Sequence, residues 1–116
     1  MNEITDKSTL VSTKVYFLST SRRITYEIYV NNLISYEPVA KEVFSFTLGE
    51  RETLRIRGLF FTRGGVLKNS YDLGSFFNLS GEEIYILAGE KQAWLADKEE
   101  FYGRLKKLKH KFTLDV

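Results

Sequence analysis

The single histidine, His110, is the first residue to test for catalysis. It lies inside the basic run Lys106–Lys111, where neighbouring positive charge disfavours the protonated imidazole. No acidic residue is close in sequence to orient it, as a Ser–His–Asp arrangement requires. The chain has no cysteine, which excludes a thiol nucleophile, a disulfide framework and a thiolate metal site. With one histidine and no cysteine, a conventional zinc site is also excluded.

The carboxylates offer little more for chemistry. Glu82-Glu83 and Glu99-Glu100 are adjacent pairs, whose side chains point to opposite faces of a strand or lie about 100° apart on a helix. Arg63-Gly64-Gly65 lacks the Lys and Ser/Thr of a phosphate-binding loop. We therefore expect a protein that is not an enzyme and holds no metal or cofactor. A hydrolase with an unforeseen site remains an alternative.

Positive charge is concentrated near the C-terminus. The net charge is +2, and five of the 17 Lys and Arg residues lie in this segment: Arg104, Lys106, Lys107, Lys109 and Lys111. These cations form a candidate site for phosphate, either of nucleic acid or of an anionic lipid surface. The alternative is that they are the solvated outer face of a helix that packs on a sheet.

Alternation with period two dominates the chain and predicts half-buried strands. Residues 24–31 alternate most clearly, and Asn31-Asn32 follows, where asparagine tolerates the positive φ of a two-residue hairpin turn. The returning strand ends at Pro38, which cannot donate to a ladder. Gly58 lies where the alternation slips, which indicates a β-bulge or a bend. Further strands are predicted at 13–19, 41–48, 52–62, 71–79 and 83–88, while 92–95 is ambiguous.

Two of these strands are apolar on both faces, at 15–18 and 84–87, which is typical of central strands covered on both sides. The C-terminal segment then changes period. Asp97 and Glu100 form a capping box, and an apolar stripe with helical spacing follows, made of Phe101, Leu105, Leu108 and Phe112. The sequence predicts a helix at about 97–111. Residues 112–116 either add a short strand or trail free.

Together these elements predict an antiparallel β-sandwich of about seven strands with one C-terminal amphipathic α-helix. We expect residues 1–11 to be a flexible tail and residues 12–116 to be one domain. The chain contains no run of 18 apolar residues and no secretory signal pattern. We expect a cytoplasmic protein from the chain as given, or a cell-envelope protein if a signal or anchor was removed.

Doubled aromatics mark the candidate partner-binding surface. In a strand, one member of each pair Phe60-Phe61 and Phe76-Phe77 points away from the core that its neighbour fills. The outer member is covered either by the helix or by another protein. The candidate partner-binding residues are Tyr29, Phe60, Phe76, Arg55 and Arg57.

Three stretches resemble one family of small domains. Residues 28–34, 48–54 and 81–87 are similar to the hairpin, the turn and the late strand of PEGA-type and transthyretin-like bacterial sandwich domains. Asn32 stands where that family has a turn glycine, and Arg51 stands where it has a histidine. The resemblance implies a small antiparallel sandwich with a non-catalytic role, and it transfers no functional residue.

We therefore predict a non-enzymatic interaction or structural module, bacterial or phage-derived, that binds a protein partner or itself through an outer strand face. The alternative is an anion-binding module that uses the basic C-terminal helix on nucleic acid or anionic lipid. A third hypothesis is a sugar-binding sandwich that uses Trp94 and surface tyrosines.

Overall fold

The computed structural model describes residues 12–21, 24–39, 42–77, 79 and 81–115, with side chains described as far as Lys109. The predicted flexible tail at 1–11 lies outside these residues. The side chains of His110, Lys111 and Phe112 also lie outside them.

The described residues form eight strands and one helix. Their bounds are β1 Thr13–Ser19, β2 Ile24–Val30, β3 Leu33–Tyr36, β4 Phe44–Leu48, β5 Leu54–Phe61, β6 Leu67–Phe76, β7 Glu83–Ala88, β8 Ala93–Ala96 and α1 Lys98–Asp115. The protein is therefore mainly β. The eighth strand is the segment that the sequence left ambiguous at 92–95.

The strands form two four-stranded sheets, which fit the predicted sandwich. Sheet A has the order β4-β1-β7-β8 and sheet B has the order β3-β2-β5-β6. Sheet B is antiparallel throughout, but β1 and β7 run parallel, so sheet A is mixed. The expectation of an entirely antiparallel fold was wrong in this respect. No short hairpin joins β1 to β7, since the chain builds all of sheet B between them, and so nothing forces them to be antiparallel.

The main core lies between the two sheets and follows the predicted alternation. Val15 and Phe17 of β1 meet Ile28 of β2 and Ile56 of β5, and all four are fully buried. The Tyr26 side chain is buried here as well, and its hydroxyl donates to the backbone carbonyl of Gly89 at 2.8 Å. Burial of such apolar side chains stabilises the pair of sheets by about 1.5–3 kcal/mol for each one.

Helix α1 covers the outer face of sheet A. Phe101 is fully buried there against Leu18, Tyr85 and Leu87, and Leu105 and Leu108 pack at the margin. This confirms that β1 and β7 are central strands covered on both faces. Among the described residues, no helix is long and apolar enough to cross a membrane.

Asp97 caps this helix as predicted, because its Oδ1 accepts a hydrogen bond from the backbone N–H of Glu100 at 2.7 Å. The helix then continues to Asp115, past the predicted end at 111. The alternative of a short strand at 112–116 is therefore wrong as far as Asp115. Residues 112–115 contain no proline or glycine that would stop a helix.

The predicted hairpin at residues 24–36 is confirmed. Asn31 and Asn32 occupy the turn between β2 and β3 with φ values of 53° and 66°. Positive φ at both central residues defines the turn whose twist matches that of the flanking strands. Asn31 also accepts a hydrogen bond from the backbone N–H of Thr53 at 3.0 Å, which ties the turn to the neighbouring loop.

Gly58 is not a bulge. Its pairing with Tyr26 keeps the register of β2 and β5 unbroken, and the register shifts fall in the β5–β6 pair instead. One of them makes Leu73 an extra residue between the partners of Ile56 and Arg57. A Cβ at Gly58 would lie 2.9 Å from Cδ1 of Leu73, so the glycine leaves room for a core side chain. The alternation therefore continues through β5.

Candidate interaction surface

The two sheets differ in what covers their outer faces. The described helix packs on sheet A, whereas no described element packs on the outer face of sheet B. Alternation in β2 and β5 places Tyr29, Arg55 and Arg57 on this open face. Glu27, Ser70 and Asp72 lie beside them, and we call these six residues the sheet B surface.

Arg55 and Tyr29 face each other across the two central strands of sheet B. They are register partners, and the Arg55 guanidinium carbon lies 4.7 Å from the centroid of the Tyr29 ring. The Tyr29 hydroxyl donates to Oε1 of Glu27 at 2.9 Å. The tyrosine is therefore held between a cation and a carboxylate, which orients its ring on the face.

Arg57 is oriented by β6. Its Nη2 donates to Oγ of Ser70 at 2.7 Å, and its Nε lies 3.5 Å from Oδ1 of Asp72. Arg55 shares that carboxylate at 3.9 Å. The Nε atoms of both arginines are shielded from solvent and have no hydrogen-bond partner among the described residues. Both side chains keep about a third of their surface exposed, at 31% and 30%.

The sheet B surface carries both signs of charge. Arg55 and Arg57 are balanced by Glu27 and Asp72, so this face is not an extension of a positive patch. A balanced surface with a tyrosine and two arginines is suited to another protein, since these two residue types are enriched at protein interfaces. It is poorly suited to a polyanion.

Phe60 and Phe76, the other two predicted partner-binding residues, do not lie on this surface. Both pack against the core between the sheets, whereas Phe61 and Phe77 are 44% and 62% exposed. The choice of Phe60 and Phe76 as outer residues was therefore wrong. For Phe60 the cause was the assumed change of phase at Gly58, because unbroken alternation turns Phe60 inward and Phe61 outward. Phe76 points inward because it is the register partner of the buried Leu54.

The basic residues of α1 spread around the helix. Arg104 is half-buried, with its guanidinium carbon 5.9 Å from the Trp94 ring centroid, while Lys106, Lys107 and Lys109 are exposed. At about 100° per residue, Lys107 lies near the side of Arg104 and Lys106 lies nearly opposite it. These cations therefore do not form one narrow stripe. The Lys111 side chain lies outside the described residues.

A tyrosine cluster that the sequence analysis missed lies on the outer face of sheet A. Tyr16 and Tyr85 are partners in the parallel β1–β7 register and stack at 5.0 Å. Their hydroxyls donate to the two oxygens of Glu83, at 3.3 Å and 2.8 Å. Burial, with Glu83 as a further cause, raises the pKa of Tyr85 to about 12 and also raises the pKa of Tyr16. The parallel pairing that creates this cluster has no local sequence signal.

A cleft of about 500 Å³ opens where β6 passes the turn between β7 and β8. Phe60 and Tyr71 form one wall, with their ring centroids 5.5 Å apart, and Glu90 on the far side accepts a hydrogen bond from Ser21 at 2.8 Å. Trp94, which the sugar-binding hypothesis uses, is half-buried against the cluster beneath α1 and does not line this cleft. The hypothesis stays a prediction.

Comparison with protein-family models finds no matching family, and comparisons with curated proteins and with solved structures find no significant match. The resemblance to PEGA-type and transthyretin-like domains thus stays a prediction. Within the described part of the chain, no group of three or more His, Cys, Asp or Glu residues is placed to hold a metal ion.

Proposed function

We propose that this protein is a non-enzymatic protein-interaction module that engages a partner protein, or a second copy of itself, through the sheet B surface. One observation supports this most directly. Helix α1 covers the outer face of sheet A, while sheet B presents Tyr29, Arg55 and Arg57 with no described element above them.

The arrangement of the two arginines favours a specific partner over a nonspecific one. Each guanidinium is held by contacts at one side, Arg55 by the Tyr29 ring and Arg57 by Ser70, and each arginine side chain keeps about a third of its surface exposed. An oriented arginine loses less conformational freedom on binding than a freely rotating one. A partner with carboxylates and carbonyl oxygens would accept hydrogen bonds from the N–H groups of these two guanidinium groups in a fixed register.

Charge reversal at the two arginines tests the proposal. Self-association is measured by sedimentation equilibrium, and proteins captured from the source cells are purified and titrated against the wild type. We expect Arg55→Glu/Arg57→Glu to weaken whichever association the wild type shows by about tenfold or more. The matched variant Lys106→Glu/Lys107→Glu should leave it unchanged. A wild type that binds no protein and no second copy, or a complex indifferent to the arginine change, contradicts the proposal.

A second candidate function is anion binding by α1. The observation in its favour is that Lys106 and Lys107 are exposed and form no ion pair with any described residue. Its test is titration of a labelled DNA duplex at several salt concentrations. Each phosphate contact should steepen the fall of log K with log salt by about 0.9. Unchanged affinity in the Lys106→Glu/Lys107→Glu variant contradicts this function.

A further inference from the structure

The tip of the β5–β6 hairpin presents apolar side chains to solvent. Phe61 and Leu67 are register partners at the end of the strand pair, and they are 44% and 50% exposed. Val66, in the turn beside them, is 65% exposed. Contiguous exposed apolar residues mark an interaction site more often than singly scattered ones do. These three adjacent residues are therefore a candidate interaction site.

The turn that carries these residues is well ordered by its own hydrogen bonds. The backbone N–H of Thr62 donates to the carbonyl oxygen of Val66 at 2.8 Å, and the N–H of Gly65 donates to the carbonyl oxygen of Thr62 at 3.0 Å. The Thr62 hydroxyl oxygen accepts from the N–H of Val66 at 3.2 Å. Gly65 supplies the positive φ of 84° that closes the turn. The apolar residues are therefore displayed on a closed hairpin.

The apolar tip lies at one end of sheet B. Pairing of β5 with β6 ends there at Phe61 and Leu67, and the Asn31-Asn32 turn lies at the opposite end of the same sheet. Three side chains at the tip of a hairpin bury little area against a flat protein surface, but they can insert together into a lipid interface.

The two charged side chains of the tip itself are both cations, and the nearest described carboxylates are those of Asp72 and Glu90 in the cleft that Lys68 also lines. Arg63 is in the turn and Lys68 follows Leu67, and residues 59–71 contain no Asp or Glu. Tyr71, which is 49% exposed, lies further along β6 with an apolar ring and a polar hydroxyl. Apolar residues at the tip, cations next to them and an amphipathic aromatic behind them match the layers of an anionic lipid surface in order of depth.

We propose that the β5–β6 tip docks on an anionic lipid surface, with Phe61, Val66 and Leu67 inserted among the headgroups and Arg63 and Lys68 paired with lipid phosphates. This site is separate from the sheet B surface and from the basic residues of α1. It requires neither of them for binding.

The test is cosedimentation of the full chain with vesicles of phosphatidylcholine that contain about one third phosphatidylserine. We expect binding by the wild type, and a loss of about tenfold or more in partition coefficient for Val66→Asp and for Leu67→Asp. Arg63→Gln and Lys68→Gln should each weaken binding about fivefold, and pure phosphatidylcholine vesicles should bind far less protein.

The chain supplies a matched control at its other end. Leu33 and Ile34, beside the Asn31-Asn32 turn, are 72% and 48% exposed, so Leu33→Asp and Ile34→Asp change equally accessible apolar residues. They should leave vesicle binding unchanged. Absence of binding by the wild type, equal losses from both hairpins, or loss only in Lys106→Glu/Lys107→Glu overturns the proposal. Circular dichroism confirms that each variant is folded.

Discussion

The Arg55 guanidinium stands over the Tyr29 ring, 4.7 Å from its centroid, on the face of sheet B that no described element covers. The two residues are direct partners in the antiparallel β2–β5 register. The same register places Glu27 opposite Arg57, so a short stretch of two strands aligns two cations, a carboxylate and an aromatic ring. This alignment connects strand pairing to the proposed binding function, because a register shift of one residue would turn all of these side chains into the core.

The first prediction concerns the energetic coupling of this pair. Urea unfolding of Tyr29→Ala, Arg55→Ala and the double variant should give a coupling free energy of about 0.5–1 kcal/mol, as expected for a partly exposed cation–π contact. Tyr29→Phe should keep most of this coupling because it keeps the ring, although it loses the hydrogen bond to Glu27. Strict additivity of the two alanine variants would show that the contact contributes nothing.

The second prediction concerns the attachment of α1. Phe101 is fully buried against Leu18, Tyr85 and Leu87, so Phe101→Ala should destabilise the protein by about 3–5 kcal/mol. Chemical unfolding followed by circular dichroism measures this loss of stability. We also expect the variant to lose helical ellipticity at lower denaturant concentration than the main unfolding transition. The exposed neighbour Lys106 provides the control, since Lys106→Ala should change the unfolding free energy by no more than about 0.5 kcal/mol.

Local patterns predicted the parts of this fold that depend on neighbours in sequence. The Asn31-Asn32 turn and the Asp97 cap follow from residues close in sequence, and both are confirmed. The apolar stripe of the helix is confirmed for Phe101, Leu105 and Leu108, while the Phe112 side chain lies outside the described residues. The parallel pairing of β1 with β7 joins residues nearly 70 positions apart, as in Tyr16 and Tyr85. No local pattern encodes such a pairing, so the tyrosine cluster and the mixed character of sheet A could not be predicted.

For the candidate site, too, the sequence predicted which way individual side chains point but not which of them come together. Alternation alone placed Tyr29, Arg55 and Arg57 on outer faces, but their convergence depends on the β2–β5 register. Phe60 was assigned to the wrong face because Gly58 was interpreted as a break in phase, whereas the inward position of Phe76 follows from its pairing with Leu54, which lies beyond the extra residue Leu73 of β6. Gly58 provides room for Leu73, which is the extra residue of a bulge in the neighbouring strand β6. A bulge on a neighbouring strand leaves no signal at the residue it affects.

The third prediction tests this account of Gly58. A Cβ there would lie 2.9 Å from Leu73 and 3.4 Å from Ile24, so Gly58→Ala should cost about 1 kcal/mol and Gly58→Val about 3 kcal/mol. Gly64 is the control, since a Cβ there meets nothing closer than 3.9 Å and Gly64→Ala should be nearly neutral. Thermal and urea unfolding measure all three. A fully tolerated Gly58→Val would mean that Leu73 does not fill this space.

The fourth prediction concerns the turn between β2 and β3. Asn32 has a φ of 66°, so Asn32→Val should destabilise the protein by about 1–2 kcal/mol, whereas Asn32→Gly should be neutral or slightly stabilising. Asn31→Gly should behave differently, because it also removes the oxygen that accepts the N–H of Thr53. Urea unfolding of the three variants measures the order. Equal effects of glycine at both positions would contradict the role of the Asn31 side chain.

The last prediction is a loss of stability at alkaline pH that originates in the tyrosine cluster. The pKa of Tyr85 rises from its ordinary 10.0 to about 12, because burial and the carboxylate of Glu83 both disfavour the tyrosinate. Between pH 10 and 12 the unfolded chain therefore loses this proton while the folded chain keeps it. The stabilisation is complete below pH 10 and is lost as pH rises through the folded pKa.

Two measurements check this last prediction. The ultraviolet absorbance of tyrosinate should show late ionisation of Tyr16 and Tyr85, and urea midpoints should fall steadily above pH 10. Glu83→Gln removes a charge that both hydroxyls face, so it should lower both pKa values while part of the shift remains through burial. Glu82→Gln, at the exposed neighbouring position, should leave the titration unchanged. Early ionisation of Tyr85 in the wild type would mean that its hydroxyl is not held by Glu83 beneath α1.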